Sequence, residues 1–254
     1  MPKSLKEVSG AEVLGKSDLI WMLNDSENRP LLYAVSKNGN IERKIYINEK
    51  NHDWEDLTSD KEGNIYIGDF GNNLNKRKNL RILKIDKKYL KTKKAKAKKI
   101  KFSYENQIKF PPKKKAMFFD AEAFFYYNNY FYIFTKSRVK NKYGKTSLYK
   151  VPAKKGKHIA KLISEFENCI DLECWVTSAD ISADGKKVVL LSQKNILVFT
   201  DFEGDNFFSG KVKKIDLKHY SQKEGITFKD NNTLLITDEK GHGAGGNLYE
   251  LKLK

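Results

Sequence analysis

Apolar positions along the 254-residue chain fall in short runs punctuated by Gly, Asn, Asp and Lys, and one order of runs recurs five times. Each copy opens on a segment led by acidic or small residues: Ser9-Gly10-Ala11, Trp54-Glu55-Asp56-Leu57, Asp120-Ala121-Glu122-Ala123, Ala179-Asp180-Ile181-Ser182 and Lys223-Glu224-Gly225-Ile226. Tight turns such as Lys61-Glu62-Gly63-Asn64, Asn128-Asn129, Ala183-Asp184-Gly185 and Asp230-Asn231-Asn232 follow, built from residues that β-hairpins require. A second, apolar run then ends in polar residues: LIWMLNDS, NIYIGDFGNN, YFYIFTKSR, KVVLLSQ and TLLITDE. The third runs, PLLYAVS, NLRILKI, TSLYKVP, NILVFT and GNLYELKLK, alternate apolar and polar residues as half-buried strands do.

Gly10, Glu55, Glu122, Asp180 and Glu224 mark the copies at intervals of 45, 67, 58 and 44 residues. A four-stranded propeller blade takes about 40–50 residues. The pattern therefore predicts an all-β chain, a single β-propeller domain over residues 1–254 with five blades, or six if the interval from Glu55 to Glu122 holds a degenerate one. The last copy supplies three strands, so Ser4 to Val8 is expected to add its outer strand, closing the ring and removing an exposed edge. Helix signals are nearly absent, and only the lysine-rich stretch near Lys87–Lys99 could coil. The 15 Phe, 13 Tyr and 3 Trp fall mostly on strand positions and read as packing between blades.

In such a ring the start of each first strand meets the end of each second strand at one mouth of the central channel. The strand starts bring Glu55, Asp56, Asp120, Glu122, Asp180 and Glu224 to that mouth. The strand ends bring Asn24, Asp25, Asp69, Asn72, Lys136, Asp238 and Glu239, with Arg138 close behind. Carboxylates converging in a narrow funnel repel one another by several kcal/mol unless a divalent cation, a shared proton or a cation such as Lys136 or Arg138 compensates them. Oxygen donors suit calcium or magnesium better than zinc. The alternative for each carboxylate is a structural one, in which it accepts backbone N–H groups of the neighbouring blade. His52, ahead of the second copy, and His242, in a glycine-rich loop, are lesser candidates for a base or ligand.

The formal charge of +17 invites a nucleic-acid reading. Its lysines, however, collect at Lys87 to Lys101, Lys113-Lys114-Lys115 and Lys154-Lys155, positions suited to solvated outer strands and turns. No helix-turn-helix, RNA-reading strand or zinc-finger spacing accompanies them, so no specific nucleic-acid partner is expected. No apolar stretch is long enough to span a membrane. Met1-Pro2-Lys3-Ser4 runs straight into patterned sequence without the apolar core of a signal peptide, which reads as a cytosolic protein or as a mature exported one. Cys169 and Cys174 lack a metal-binding pattern and read either as a small disulfide loop or as two buried thiols.

The series NDSENRPLLYAV, DWEDLT, IYIGDFGNNLNKRKNLRILKI, DAEAFFY, IFTKSR, ADISADGKKVVLL and EGITF resembles a group of largely uncharacterised bacterial propeller proteins, often exported, over about Ser9 to Leu253. More distantly it is similar to SdiA-regulated and phytase-like esterase propellers, and to gluconolactonase and phosphotriesterase propellers. In these last, acidic and Asn residues at inner-strand starts hold a catalytic calcium. The resemblance thus implies Glu55, Glu122, Asp180 and Glu224 as metal ligands, with Asn24, Asp25, Asp69, Asn72, Lys136, Arg138 and Asp238 as ligand-binding residues. It departs from the lactonase pattern in offering carboxylates where two Asn ligands stand, and in opening its first copy on Ser9-Gly10. The implied function is a monomeric, exported propeller holding calcium or a small polar ligand at the funnel. A calcium-dependent hydrolase of a lactone, phosphoester or related anionic ester, and a protein-interaction scaffold, are the alternatives.

Overall fold

The computed structural model describes residues 1–219, 221–241 and 245–253. The first repeat forms β1 (Val8–Val13), β2 (Leu19–Asn24), β3 (Leu31–Ser36) and β4 (Ile41–Ile47). The second forms β5 (Trp54–Ser59), β6 (Ile65–Asp69), β7 (Arg81–Ile85), the short β8 (Lys94–Ala95) and β9 (Ala97–Tyr104). The third is β10 (Asp120–Tyr127), β11 (Tyr130–Lys136), β12 (Lys145–Pro152) and β13 (Gly156–Glu167). The fourth is β14 (Ser178–Ile181), β15 (Val188–Leu191), β16 (Asn195–Thr200) and β17 (Lys211–Asp216). The last is β18 (Lys223–Asp230), β19 (Thr233–Asp238) and β20 (Leu248–Lys252). The only helical segments among the described residues are short 3-10 turns.

Within each repeat consecutive strands pair antiparallel, β7 skipping the short β8 to pair with β9, and two parallel pairings join neighbours at their outer edges, β4 with β8 and β9 with β13. The stretch that could have coiled makes one 3-10 turn (Lys87–Tyr89) and then these outer strands, because Ala95, Ile100, Phe102 and Tyr104 alternate into the core while the lysines between them face water. The 67-residue interval is filled by the loop 105–119, not by a further group of strands.

The first strands pack in succession, β1 on β5, β5 on β10, β10 on β14, β14 on β18, and β18 on β1. The apolar core is divided the same way. One cluster lies between the first two repeats (Trp21, Leu32, Trp54, Leu83), the next between the second and third (Phe70, Phe102, Phe124, Tyr149), and so on to Val8, Ile20 and Leu235 between the last and the first. Central strands are buried on both faces, which is why runs such as Val188–Leu191 carry no polar alternation: Val188 and Leu190 face the third repeat, Val189 and Leu191 the last.

The outer strand expected from Ser4 to Val8 is not formed. Lys3–Leu5 is a 3-10 turn, Leu5 is buried in the cluster with Val8 and Met22, and the last sheet has three strands. Burial of Leu5 and Val8 takes precedence over edge pairing. The N-terminus still meets the last repeat, through Met1 donating to the Gly246 carbonyl (2.6 Å) and Lys240 N–H donating to that of Lys6 (2.8 Å).

One side chain ties the first strands together. Asp56 is fully buried. Its Oδ2 accepts from Ser178 Oγ (3.0 Å) and from the N–H groups of Phe124 and Ala179 (3.4 Å each), and its Oδ1 from Leu57 N–H (2.9 Å). Ser178 Oγ in turn accepts from Ile226 N–H (3.1 Å), extending the link to β18. On the remaining side Gly10 makes room, since a Cβ there would lie 2.9 Å from Asp56 Cα. Asp56→Ala, which strands these donors, is expected to lower the unfolding free energy by roughly 3–5 kcal/mol, at about 1–3 for each unpaired buried group, read from the urea midpoint.

Candidate cation site at the funnel mouth

The first strands start irregularly. In β1, β5, β10 and β18 the register slips close to the N-terminal end, leaving Ser9, Glu55 with Asp56, Glu122 and Glu224 at bulges. A bulge re-aims a side chain out of the ladder, and Glu55, Glu122 and Glu224 thereby come within electrostatic reach of one another. The connections after β2, at the start of β5 and after β19 add Asp25, Asp53 and Glu239.

Part of this cluster is neutralised. Arg138 donates from Nε to Asp120 (2.6 Å) and from Nη2 to Glu122 (3.2 Å), and Lys136 Nζ sits 2.9 Å from Glu122. Trp175 covers both cations, 4.9 Å from Lys136 Nζ and 4.8 Å from the Arg138 guanidinium carbon, and is itself held by its indole N–H on the Ser137 carbonyl (2.5 Å). Burial works against the charge on Lys136, but Glu122 and Glu224 outweigh it and hold its pKa above the ordinary lysine value.

The other part is not. One oxygen each from Asp25, Asp53 and Glu55 lie within 4.8 Å of one another. Asp53 has the Ser26 side chain and a distant Arg77 (3.9 Å), and Asp25 accepts the neighbouring Ser26 N–H. Buried Glu55 makes no hydrogen bond or ion pair with another described residue. Burial first, and then the neighbouring carboxylates, push these acids up: Asp25 to about 6, Asp120 to about 7, Glu239 to about 7 and Glu224 to about 8, with Asp53 raised and Glu55 well above its ordinary value. Gly71 closes the cradle: a Cβ there would fall 1.9 Å from Glu55 Oε1 and 2.5 Å from Asp53 Oδ2. An all-carboxylate donor set with an unpartnered buried member fits a hard divalent cation.

The four carboxylates expected as one ligand set are divided. Glu55 belongs to the unpaired group, Glu122 is engaged by Lys136 and Arg138, and Glu224 lies near Lys136. Asp180 is not at this mouth. It accepts from Phe228 and Ile181 N–H (2.7 Å each) and, with Glu12, Ser59 and Thr227, lines a cavity of about 230 Å³ among the hairpin turns Asp60, Asn128 and Asp230. The fourth repeat explains the offset. Thr177 Oγ1 donates to the Lys223 carbonyl as Ser9 Oγ does to that of Trp54, so Thr177 holds the place assigned to Asp180, three residues earlier.

Several residues expected to bind ligand are occupied within the protein. Asp69, fully buried, pairs with Arg77 (2.9 Å) and Arg81 (2.7 Å), and Arg81 also donates to His52 Nδ1 (3.0 Å). Asn72 donates to Asp120 and to the Phe119 carbonyl and accepts from Arg77 N–H. Asp238 accepts from Ser221 (2.5 Å), Tyr249 (2.8 Å) and Asn247 N–H (2.7 Å). Asn24 donates to the Ser4 carbonyl (2.8 Å), while its side-chain oxygen has no partner among the described residues. His242 lies outside the described residues. Asp53 escaped the sequence reading; the acidic pair it forms with Glu55 around Trp54 was its signal.

Two solved structures with TM-scores above 0.5 agree on the fold. A chain of a nidogen–laminin complex aligns with a TM-score of 0.52 at 10% identity, covering 96% of this chain and 80% of that one. A gluconolactonase from Xanthomonas campestris aligns with a TM-score of 0.51 at 11% identity, covering 98% and 86%. A virginiamycin B lyase from Staphylococcus aureus aligns with a TM-score of 0.46 at 12% identity, covering 100% and 69%. The neighbours are β-propellers, and this chain has that fold. No family model and no curated protein matches the sequence.

The raised acids set a pH dependence. A carboxyl whose folded pKa exceeds its unfolded value binds more protons folded than unfolded, so its contribution is complete below the unfolded value and lost as pH rises through the folded one. In chelator the melting temperature should therefore fall between about pH 4, where such groups titrate unfolded, and about pH 8, where Glu224 titrates folded. Glu224→Gln should flatten the upper part of that decline.

Proposed function

We propose that this chain is a five-bladed propeller, closed by the packing of β18 on β1, that binds one divalent cation, calcium by its donor set, through Asp25, Asp53 and Glu55. The observation that carries this reading is the buried Glu55 carboxylate, which has no donor of its own and faces two further carboxylates across the space that Gly71 leaves. Neighbouring Asp120 and Glu122 are in contact with Arg138 and Lys136, which make no ion pair with Asp25, Asp53 or Glu55. The Cys169–Cys174 disulfide fits an exported protein, and the lysines along the outermost strand β17 fit a monomer whose edges resist pairing.

A hydrolase acting on a lactone or related anionic ester is a second reading of the same mouth. Glu224, pushed to about 8 by burial, keeps its proton at neutral pH and is a candidate general acid. A bound cation would polarise a substrate oxygen.

Melting with chelator and then with calcium tests the binding reading. Saturating calcium is expected to raise the transition by roughly 5–10 °C, since a ligand at a hundred times its Kd adds about 2.7 kcal/mol. Glu55→Gln should abolish the response while leaving the chelated protein at least as stable as the wild type, because it removes a buried carboxyl whose ionisation burial and its acidic neighbours oppose. A calcium-independent transition contradicts the reading. Turnover of a model lactone that is lost in Glu224→Gln, with calcium binding kept, would support the second.

A further inference from the structure

The loop 70–80, which follows β6, and the loop 105–119, which precedes β10, rise beside the funnel mouth and are pinned together. Asn75 is fully buried between them: its backbone carbonyl accepts from Gln107 Nε2 (2.8 Å) and its side-chain oxygen from Phe119 N–H (2.8 Å). Leu74 and Ile108 each stand one residue away from a partner of that first bond. Both side chains point to solvent; Leu74 is 57% exposed and Ile108 86%, the largest exposure of any big apolar residue described.

The same two loops carry Lys76, Lys78, Lys109, Lys113, Lys114 and Lys115, all exposed. None is in an ion pair with a described residue, and only Lys78 has an aromatic neighbour, the Phe110 ring at 5.2 Å. The single acidic residue of the two loops, Glu105, is taken by Lys161 (2.9 Å) and Leu162 N–H. Arg77 turns inward to Asp69.

We propose that these paired loops are a docking surface for an anionic lipid bilayer. Unpaired lysines gain from a negatively charged headgroup layer, and isolated apolar side chains at loop tips gain by entering the headgroup–acyl boundary. An acidic protein partner would use the lysines but leave Ile108 without a flat apolar face to pack on. Docking in this way stands independently of cation binding.

Co-sedimentation with phosphatidylglycerol–phosphatidylcholine vesicles tests the proposal, with pure phosphatidylcholine vesicles as the comparison. Binding is expected only to the anionic vesicles and to weaken with salt. K113Q/K114Q/K115Q should weaken it about a hundredfold, from roughly fivefold for each charge near the surface. K154Q/K155Q/K157Q removes as much charge from an exposed hairpin and should have little effect. Leu74→Ser and Ile108→Ser should each weaken binding several-fold, and Ile108→Trp should show blue-shifted emission on the anionic vesicles alone. All these positions are exposed, and unchanged melting verifies that the variants fold. The proposal is overturned by absence of vesicle binding, by equal loss in the two lysine triples, or by binding that ignores Leu74 and Ile108. The last result would mark a purely electrostatic surface for acidic proteins or nucleic acid.

Discussion

Everything at either mouth of this propeller depends on a buried carboxylate with no counter-ion. Asp56 sits where the first strands converge and is satisfied by hydroxyl and amide donors alone, from β5, β10 and β14, with Ser178 passing the link to β18. Burial raises its pKa well above the ordinary value, and those donors oppose the shift. The close packing reaches across to β1, where a Cβ on Gly10 would lie 2.9 Å from Asp56 Cα.

Two acidic groups flank Asp56 along the channel, and they are resolved differently. Toward the hairpin turns, Glu12 accepts from Ser59 (2.5 Å) and Thr227 (3.3 Å), and Asp180 from backbone amides, so each carboxylate is held by neutral donors. Toward the other mouth, Lys136 and Arg138 balance Asp120 and Glu122, yet Asp25, Asp53 and Glu55 gather with one long ion pair among them, Arg77 to Asp53 at 3.9 Å. That difference in compensation, and not the number of acids, separates a structural cluster from a candidate binding site.

The repeat, the strands and the propeller class were legible in the sequence because strand period and turn chemistry are local. Lys87–Lys99 was ambiguous for the same reason: its apolar residues are too sparse to declare an outer strand until β7 pairs with it. Glu55 was expected at the mouth as a strand start and Asp25 as a strand end, and the two stand in one acidic group. Asp69, Asn72 and Asp238 look identical in sequence to free ligand donors, because the Arg77, Arg81 and Tyr249 that occupy them come from later strands and loops. Asp180 was misplaced since spacing cannot reveal that the fourth repeat has Thr177 at the position where its sisters carry a glutamate or serine bulge. The cysteines, open to either form in sequence, are joined.

The central claim is that the space between Asp25, Asp53 and Glu55 is built for a cation. The most direct test adds one methyl group and no charge: calorimetric titration of calcium into wild-type protein and into Gly71→Ala, whose new Cβ would fall on the Glu55 and Asp53 oxygens. The account predicts saturable uptake of a single ion by the wild type and its loss in the variant. Equal heats in the two proteins, or none in the wild type, would contradict it.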